Sequence, residues 1–190
     1  MNKQRTIIGS LSVGALALAS WIAQEGFTSS PTMPREGDRW TIGHGATYYP
    51  DTGQPVRKGD APITREQAAA MAQQHLQKVY GPCVKKALPA TAKMSQVEYD
   101  IAVNFAGQFG CGAWASSSMA AMYAQGRYKE ACTAYLAWRN VTSYTRPTSP
   151  DWREVRPGVW RFDCATPGNK VCRGVWTRTQ WRYEQCAASL

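Results

Sequence analysis

Residues 7–27 read IIGSLSVGALALASWIAQEGF, and residues 37–45 read GDRWTIGHG. The first run predicts a weakly hydrophobic, uncharged helix that stops at Glu25-Gly26, because glycine suits the position just past a helix end. Ile8, Leu11, Ala15, Leu18 and Ile22 recur at spacings of three and four, which marks one helical face. Three residues beyond Ile22 comes Glu25, so a carboxylate is expected at the inward edge of that face. The second run is a Gly-rich turn with Asp38, followed by a short strand, Trp40-Thr41-Ile42. Everything downstream reads as a scaffold for this segment.

The same first run has the makings of a membrane segment. Lys3 and Arg5 precede an uncharged span, Thr6 to Gln24, long enough to cross a bilayer. Ala, Gly and Ser occupy nearly half of it, so insertion is expected to be marginal. Three readings stay open. The helix lies in lipid at one stage and packs on a protein core at another; or it is a signal peptide cleaved near the small-x-small Ala17-Leu18-Ala19; or it is a permanent anchor.

A chain of 190 residues suits one globular domain plus a targeting segment. A net charge of +9 points to a polyanionic partner: nucleic acid, anionic lipid or cell-wall polymer. No finger spacing and no aromatic RNP run is present, which sets nucleic acid aside. The even count of 6 cysteines predicts disulfides and an oxidising compartment. Cys164 and Cys172 flank a turn-rich loop and are expected to close locally. No CxxC pair occurs and His44 and His75 are far apart, so no metal is expected. No dinucleotide, P-loop, GxSxG or HExxH pattern occurs, so no cofactor is expected either.

Along the chain, residues 27–62 read as a small β lobe, with Pro50-Asp51-Thr52-Gly53 as a turn between Tyr48-Tyr49 and Pro55-Val56. Residues 63–190 read as helical. Thr64-Arg65-Glu66-Gln67 is a capping box, opening a helix expected to stop at Gly81-Pro82. Ser95, with Glu98 three residues on, opens another, whose Val97, Ile101, Phe105 and Phe109 form a core face. Further helices are expected from Ser116 or Ser117 to Gln125, from Tyr128 to Arg139, and from Trp176 to Cys186. Residues 140–167, rich in proline and tryptophan, form an insertion, with a hairpin around Pro157-Gly158. Its aromatic residues suit sugar stacking or hydrophobic filling.

Cleavage of a glycosidic bond needs a protonated carboxyl at the leaving oxygen and usually a second carboxylate for water or for the sugar. Glu25 and Asp38 are the candidates, with Thr41 beside Asp38. The bland readings are an exposed helix-end glutamate and ordinary turn chemistry at Gly-Asp.

Glu25-Gly26-Phe27 followed by Thr41-Ile42-Gly43-His44-Gly45 resembles the phage-type lysozymes, the endolysins of glycoside hydrolase family 24. Lys58-Gly59-Asp60, Ile63 to Ala68, Tyr99 to Ala106, Gly112-Ala113-Trp114, Gln125 to Tyr128 and Val171 to Arg178 extend the resemblance. It implies a lysozyme-like α+β fold, mostly α: a small β lobe and a larger helical lobe joined by a long helix, with an N-terminal anchor helix. It also implies hydrolysis of the β-1,4 bond between N-acetylmuramic acid and N-acetylglucosamine in peptidoglycan. In that reading Glu25 is the acid, Asp38 serves the water and Thr41 holds it, with inversion. His44, Gln108 and Trp114 become substrate-binding positions. In the expected fold Cys83 pairs with Cys111 and Cys132 with Cys186.

The weak N-terminal span resembles the signal-anchor-release subgroup. That implies export by the host Sec machinery without cleavage, an anchor segment over residues 1–24 whose residues 6–24 hold an inactive form in the inner membrane, and release of the monomeric chain, with its catalytic domain over residues 25–190, into the periplasm. The spacing departs from the family at one place: twelve residues separate Glu25 from Asp38, the usual aspartate slot holds Pro34, and Glu36 is a second candidate. A lytic transglycosylase and a non-catalytic murein-binding protein on the same scaffold remain as alternatives.

Overall fold

The computed structural model describes residues 4–34 and 36–190; Lys3, assigned above to the positive N-terminal flank, lies outside the described residues. The central element is α4, Gln96–Phe109. Ser95 accepts a hydrogen bond from Glu98 N and the Glu98 carboxylate accepts one from Ser95 N, closing a capping box that satisfies two otherwise orphaned donors. The sequence predicts one apolar face for this helix. Instead, every residue from Glu98 to Ala106 is buried, because other elements surround it.

Those elements follow in chain order. Strand β1 (Thr6–Ile7) precedes a short 3-10 turn and α1 (Ala15–Glu25). Strands β2 (Thr28–Thr32) and β3 (Thr41–Gly43) make an antiparallel pair. Then come α2 (Arg65–His75), α3 (Gly81–Lys86), β4 (Lys93–Met94), which pairs with β1, and α4. Helices α5 (Cys111–Ala115), α6 (Ser118–Ala124) and α7 (Tyr128–Ala134) follow. Strands β5 (Asn140–Ser143), β6 (Arg153–Arg156) and β7 (Val159–Asp163) form a sheet in the order β5-β7-β6, and α8 (Arg173–Ala187) closes the chain.

The N-terminal segment differs most from its expectation. Residues 6–24 do not form one helix, and no helix among the described residues is long and apolar enough to cross a membrane. Thr6 and Ile7 are extended against β4, Ile8 and Leu11 drop into the core, and the helix begins only at Ala15. Gly9, Ser10, Ser12 and Gly14 are poor helix formers, and tertiary partners reward the extended form. The Asp100 carboxylate on α4 accepts the Gly14 N–H at 2.8 Å, capping α1 from a neighbouring helix. Burial nevertheless raises the Asp100 pKa, with hydrogen bonds from Gly14 and Gln96 opposing the shift.

The helical run from Arg65 does not stop at Gly81-Pro82 either. Leu76–Tyr80 forms a π turn, in which Gly81 N bonds Leu76 O, and α3 continues through Pro82 to Lys86. The widened turn accommodates a proline that lacks a donor and would crowd the carbonyl four residues back.

Around α4, Phe105 meets Trp138 edge-on with ring centroids 4.7 Å apart, and also meets Trp114 and Tyr135. Fully burying such a side chain contributes about 1.5–3 kcal/mol. Disulfides join Cys83 to Cys111, Cys132 to Cys186 and Cys164 to Cys172, tying α3 to α5, α7 to α8, and the end of the insertion to the start of α8. Such bridges fit a compartment outside the reducing cytoplasm.

Candidate active site

Glu25 is the last residue of α1 and is exposed. The buried positions of α1 are Ala17 and Ser20, a face rotated from the Ala15–Leu18–Ile22 stripe, so Glu25 leaves the edge of the core and turns to solvent. Three contacts fix where it turns. Trp21 Nε1 donates to the His44 carbonyl at 3.2 Å. His44 Nδ1 bonds the Gly26 carbonyl. The Trp21 ring packs closely on α4, where a Cβ at Gly107 would stand only 2.1 Å from it. The helix end, the Gly26 bend and the β3 turn are thereby locked together. Gly45, at φ +78°, lies under the carboxylate: a Cβ there would be 3.3 Å from Glu25 Oε2.

The β2–β3 pair carries the other candidates. Thr28 stands opposite Gly43 and Thr32 opposite Thr41. Thr41 Oγ1 donates to the Thr32 carbonyl at 3.3 Å, which orients its hydroxyl on the hairpin that follows Glu25. Asp38 and Glu36 lie in the connecting loop, and both are exposed.

His44 is buried, its ring tilted against Phe27 with centroids 5.8 Å apart, and engaged with Gly26. It positions the helix end through its bond to Gly26. Trp114 is 0 % exposed, with Nε1 donating to the Val84 carbonyl. It packs the core of the helical lobe. Gln108 is half-buried, and its Oε1 accepts from Arg182 Nη2 at 2.6 Å.

That last bond belongs to a polar chain that sequence reasoning missed. Arg182 Nε donates to Asn104 Oδ1 at 2.8 Å; Asn104 Nδ2 donates to Ser20 Oγ at 3.0 Å and to Gln24 Oε1 at 3.2 Å. The chain runs from α8 through α4 to the residue before Glu25. Burial pulls the Arg182 guanidinium down to about 10, while Tyr135 and Glu25 favour its charge. The signal was present: Thr179, Arg182 and Cys186 share one helical face, and a disulfide cysteine on that face points inward.

Among the described residues, no group of three or more His, Cys, Asp or Glu side chains is arranged to hold a metal ion. The arrangement offers an exposed carboxyl on a rigid helix end beside a hydroxyl-bearing hairpin, which suits proton donation to a bound polymer.

The fold is that of lysozyme-like α+β proteins. It superposes on an endolysin from Escherichia coli O157:H7 phage FAHEc1 with a TM-score of 0.70 at 21% identity, covering 96% of this chain and 97% of that one. P22 lysozyme gives a TM-score of 0.65 at 17% identity, covering 93% and 99%. The active form of the P1 phage endolysin Lyz gives 0.61 at 15% identity, covering 95% and 87%. No curated protein matches by sequence. A family model described as phage lysozyme matches residues 23–147, and the chain belongs to that family. It is therefore a phage-lysozyme-type glycoside hydrolase, an endolysin that degrades peptidoglycan.

Proposed function

We propose that the chain hydrolyses the β-1,4 bond between N-acetylmuramic acid and N-acetylglucosamine and so lyses the phage host. The observation that carries the reading is the Trp21–His44–Gly26 lock, which holds an exposed Glu25 over Gly45 beside the Thr41 hairpin. Glu25 gives its proton to the leaving glycosidic oxygen. A water held by Thr41 attacks C1 from the opposite face and loses its proton to Asp38, inverting the anomeric centre. Inversion requires the two carboxyls about 6.5–9.5 Å apart when substrate is bound. His44 and Gln108 act by positioning.

The test is Glu25→Gln on purified murein. Lytic activity should vanish while the melting temperature holds; persistent lysis would remove Glu25 from the mechanism. Asp38→Asn and Glu36→Gln, compared side by side, decide which carboxylate serves the water. Product mass separates hydrolysis, which adds water across the bond, from an anhydro-sugar-forming transglycosylase.

The proposal extends to residues 6–24 as a releasable membrane segment. In this reading the Sec machinery exports the chain, the inner membrane holds it inactive at its periplasmic face, and the folded state described here is the released, monomeric one. The core positions of Ile8, Leu11 and Ala17 support retention of the segment over cleavage near Ala19. N-terminal sequencing of the active periplasmic form tests this; a form beginning at Ser20 would overturn it.

A further inference from the structure

The insertion carries a second concave surface. Strand side chains alternate between the two faces of a sheet. Trp160 and Phe162 of β7 point to one face, where Phe162 is buried against Trp152 at 5.6 Å. Asn140, Arg153, Val155, Arg161 and Asp163 line the other, around a cavity of about 570 Å³. The sheet is anchored rather than loose: Cys164 N donates to the Arg139 carbonyl at 2.8 Å, and Cys164 is bridged to Cys172.

Arg153 and Arg161 stand directly opposite each other across β6 and β7. Like charges in that position destabilise a sheet. Asp151 and Asp163 line the same cavity, but neither forms an ion pair with these arginines. Asp163 is taken by Arg139 at 3.2 Å. Asp151 accepts from Ser149 Oγ at 3.1 Å, and Glu154 accepts the Gly158 N–H at 2.9 Å. Among the described residues neither Arg153 nor Arg161 has an acidic partner. Two arginines paired across the strands, both lining the cavity and at a cost to the sheet, offer a site for oxyanions. Planar forks of this kind favour bidentate carboxylates, and Val155 and Pro150 supply apolar surface beside them.

We infer that this face binds the stem-peptide carboxylates of peptidoglycan, as an accessory contact separate from the glycan-cleaving site. The inference rests on murein being the substrate, and on the charge complementarity between that polymer and the Arg153–Arg161 pair. It also assigns a job to an insertion that catalysis does not use.

The test is sedimentation of the full chain with purified sacculi, in the Glu25→Gln form so that the polymer survives. Arg153→Glu turns the cross-strand repulsion into an opposite-charge pair with Arg161, so the melting temperature should hold or rise. Sacculus binding should weaken about tenfold, the loss of one charge-assisted contact. Arg156→Glu makes the same charge change outside the cavity lining and should stay within about twofold of the parent. On glycan strands stripped of stem peptides by an amidase, the parent and Arg153→Glu should bind equally. The inference is overturned by unchanged binding of Arg153→Glu, by an equal loss in Arg156→Glu, or by a difference that survives stripping. It is also overturned if Arg153→Glu loses binding only to phosphatidylglycerol vesicles. Failure of the Glu25-containing chain to release soluble fragments from the same sacculi would instead count against the substrate reading, and binding is scored independently of it.

Discussion

The Arg5 guanidinium grips the Glu98 carboxylate with three hydrogen bonds, the shortest from Nη2 to Oε1 at 2.7 Å. Glu98 is 0 % exposed, and the same arginine lies over the Tyr128 ring at 3.8 Å. A residue that reads as the positive flank of a membrane segment is thus the counter-charge of the helix at the centre of the fold. The pair raises the Arg5 pKa, chiefly through the hydrogen bonds to Glu98. Under the proposed membrane-release reading, a chain whose first residues sit in a bilayer could not make this contact.

Arg5→Ala leaves a buried carboxylate without its cation. Breaking such a pair typically costs about 3–5 kcal/mol, and the lower end applies because Arg5 retains some solvent contact. Urea titration of the soluble protein should show a loss of about 3 kcal/mol. A change below about 1 kcal/mol, the range of an exposed pair, would mean that Glu98 finds another partner.

Gly107→Ala tests the platform under Trp21. Its methyl group would meet the Trp21 ring at 2.1 Å, against the helix backbone. Overpacking of this kind costs about 1–3 kcal/mol. Because Trp21 also bonds the His44 carbonyl, lytic activity should fall more than stability alone explains, measured well below the melting temperature. Wild-type activity in a destabilised variant would separate Trp21 from the site.

His75 makes stability depend on pH. Its ring is buried against Tyr48 at 4.3 Å, and Nε2 has no hydrogen-bond partner among the described residues. Burial lowers its pKa from 6.5. Below that value the unfolded chain takes up a proton that the folded chain refuses, so stability falls with pH until the lowered folded pKa is passed. Asp100 has the opposite sign: its pKa is raised from 3.8 by burial, so its contribution grows as pH falls toward that value. His75→Gln should flatten the first slope in denaturation curves taken from pH 7 downward, and Asp100→Asn should remove the second. An unchanged slope in His75→Gln would assign the dependence elsewhere.

The disulfides should rank by the loop each closes. Cys132 and Cys186 are 54 residues apart, and Cys164 and Cys172 are 8 apart. Chain entropy puts the longer loop near 4 kcal/mol and the shorter near 2.5 kcal/mol. Calorimetry of C132A/C186A and C164A/C172A under non-reducing conditions reads the order. A reversed order would place the stabilisation in native packing.

Local chemistry was legible wherever the chain satisfies itself over a few residues. The Thr64 and Ser95 capping boxes, the Pro157-Gly158 hairpin and the Gly26 stop follow from side chains within four positions of the backbone they serve. The Glu25-Gly-aromatic and Thr-Ile-Gly motifs were legible for the same reason, as a helix end and a strand turn. The β1–β4 pair and strand β5 were not legible, because their hydrogen-bond partners come from distant parts of the chain.

The sequence by itself determined which residues end α1, which carboxylate stands there, and that the N-terminal run is only weakly hydrophobic. That weak hydrophobicity and its poor helix formers leave the conformation of the run to whatever surrounds it. Only the tertiary structure decided the outcome: Asp100 caps α1 at Gly14, Arg5 neutralises Glu98, and Trp21 seats on Gly107. Each of these joins residues more than eighty positions apart, so their energies exist only once α4 is surrounded. They rotate the helix so that Glu25 meets Gly45 and solvent, where the spacing of apolar residues alone had turned it toward the core.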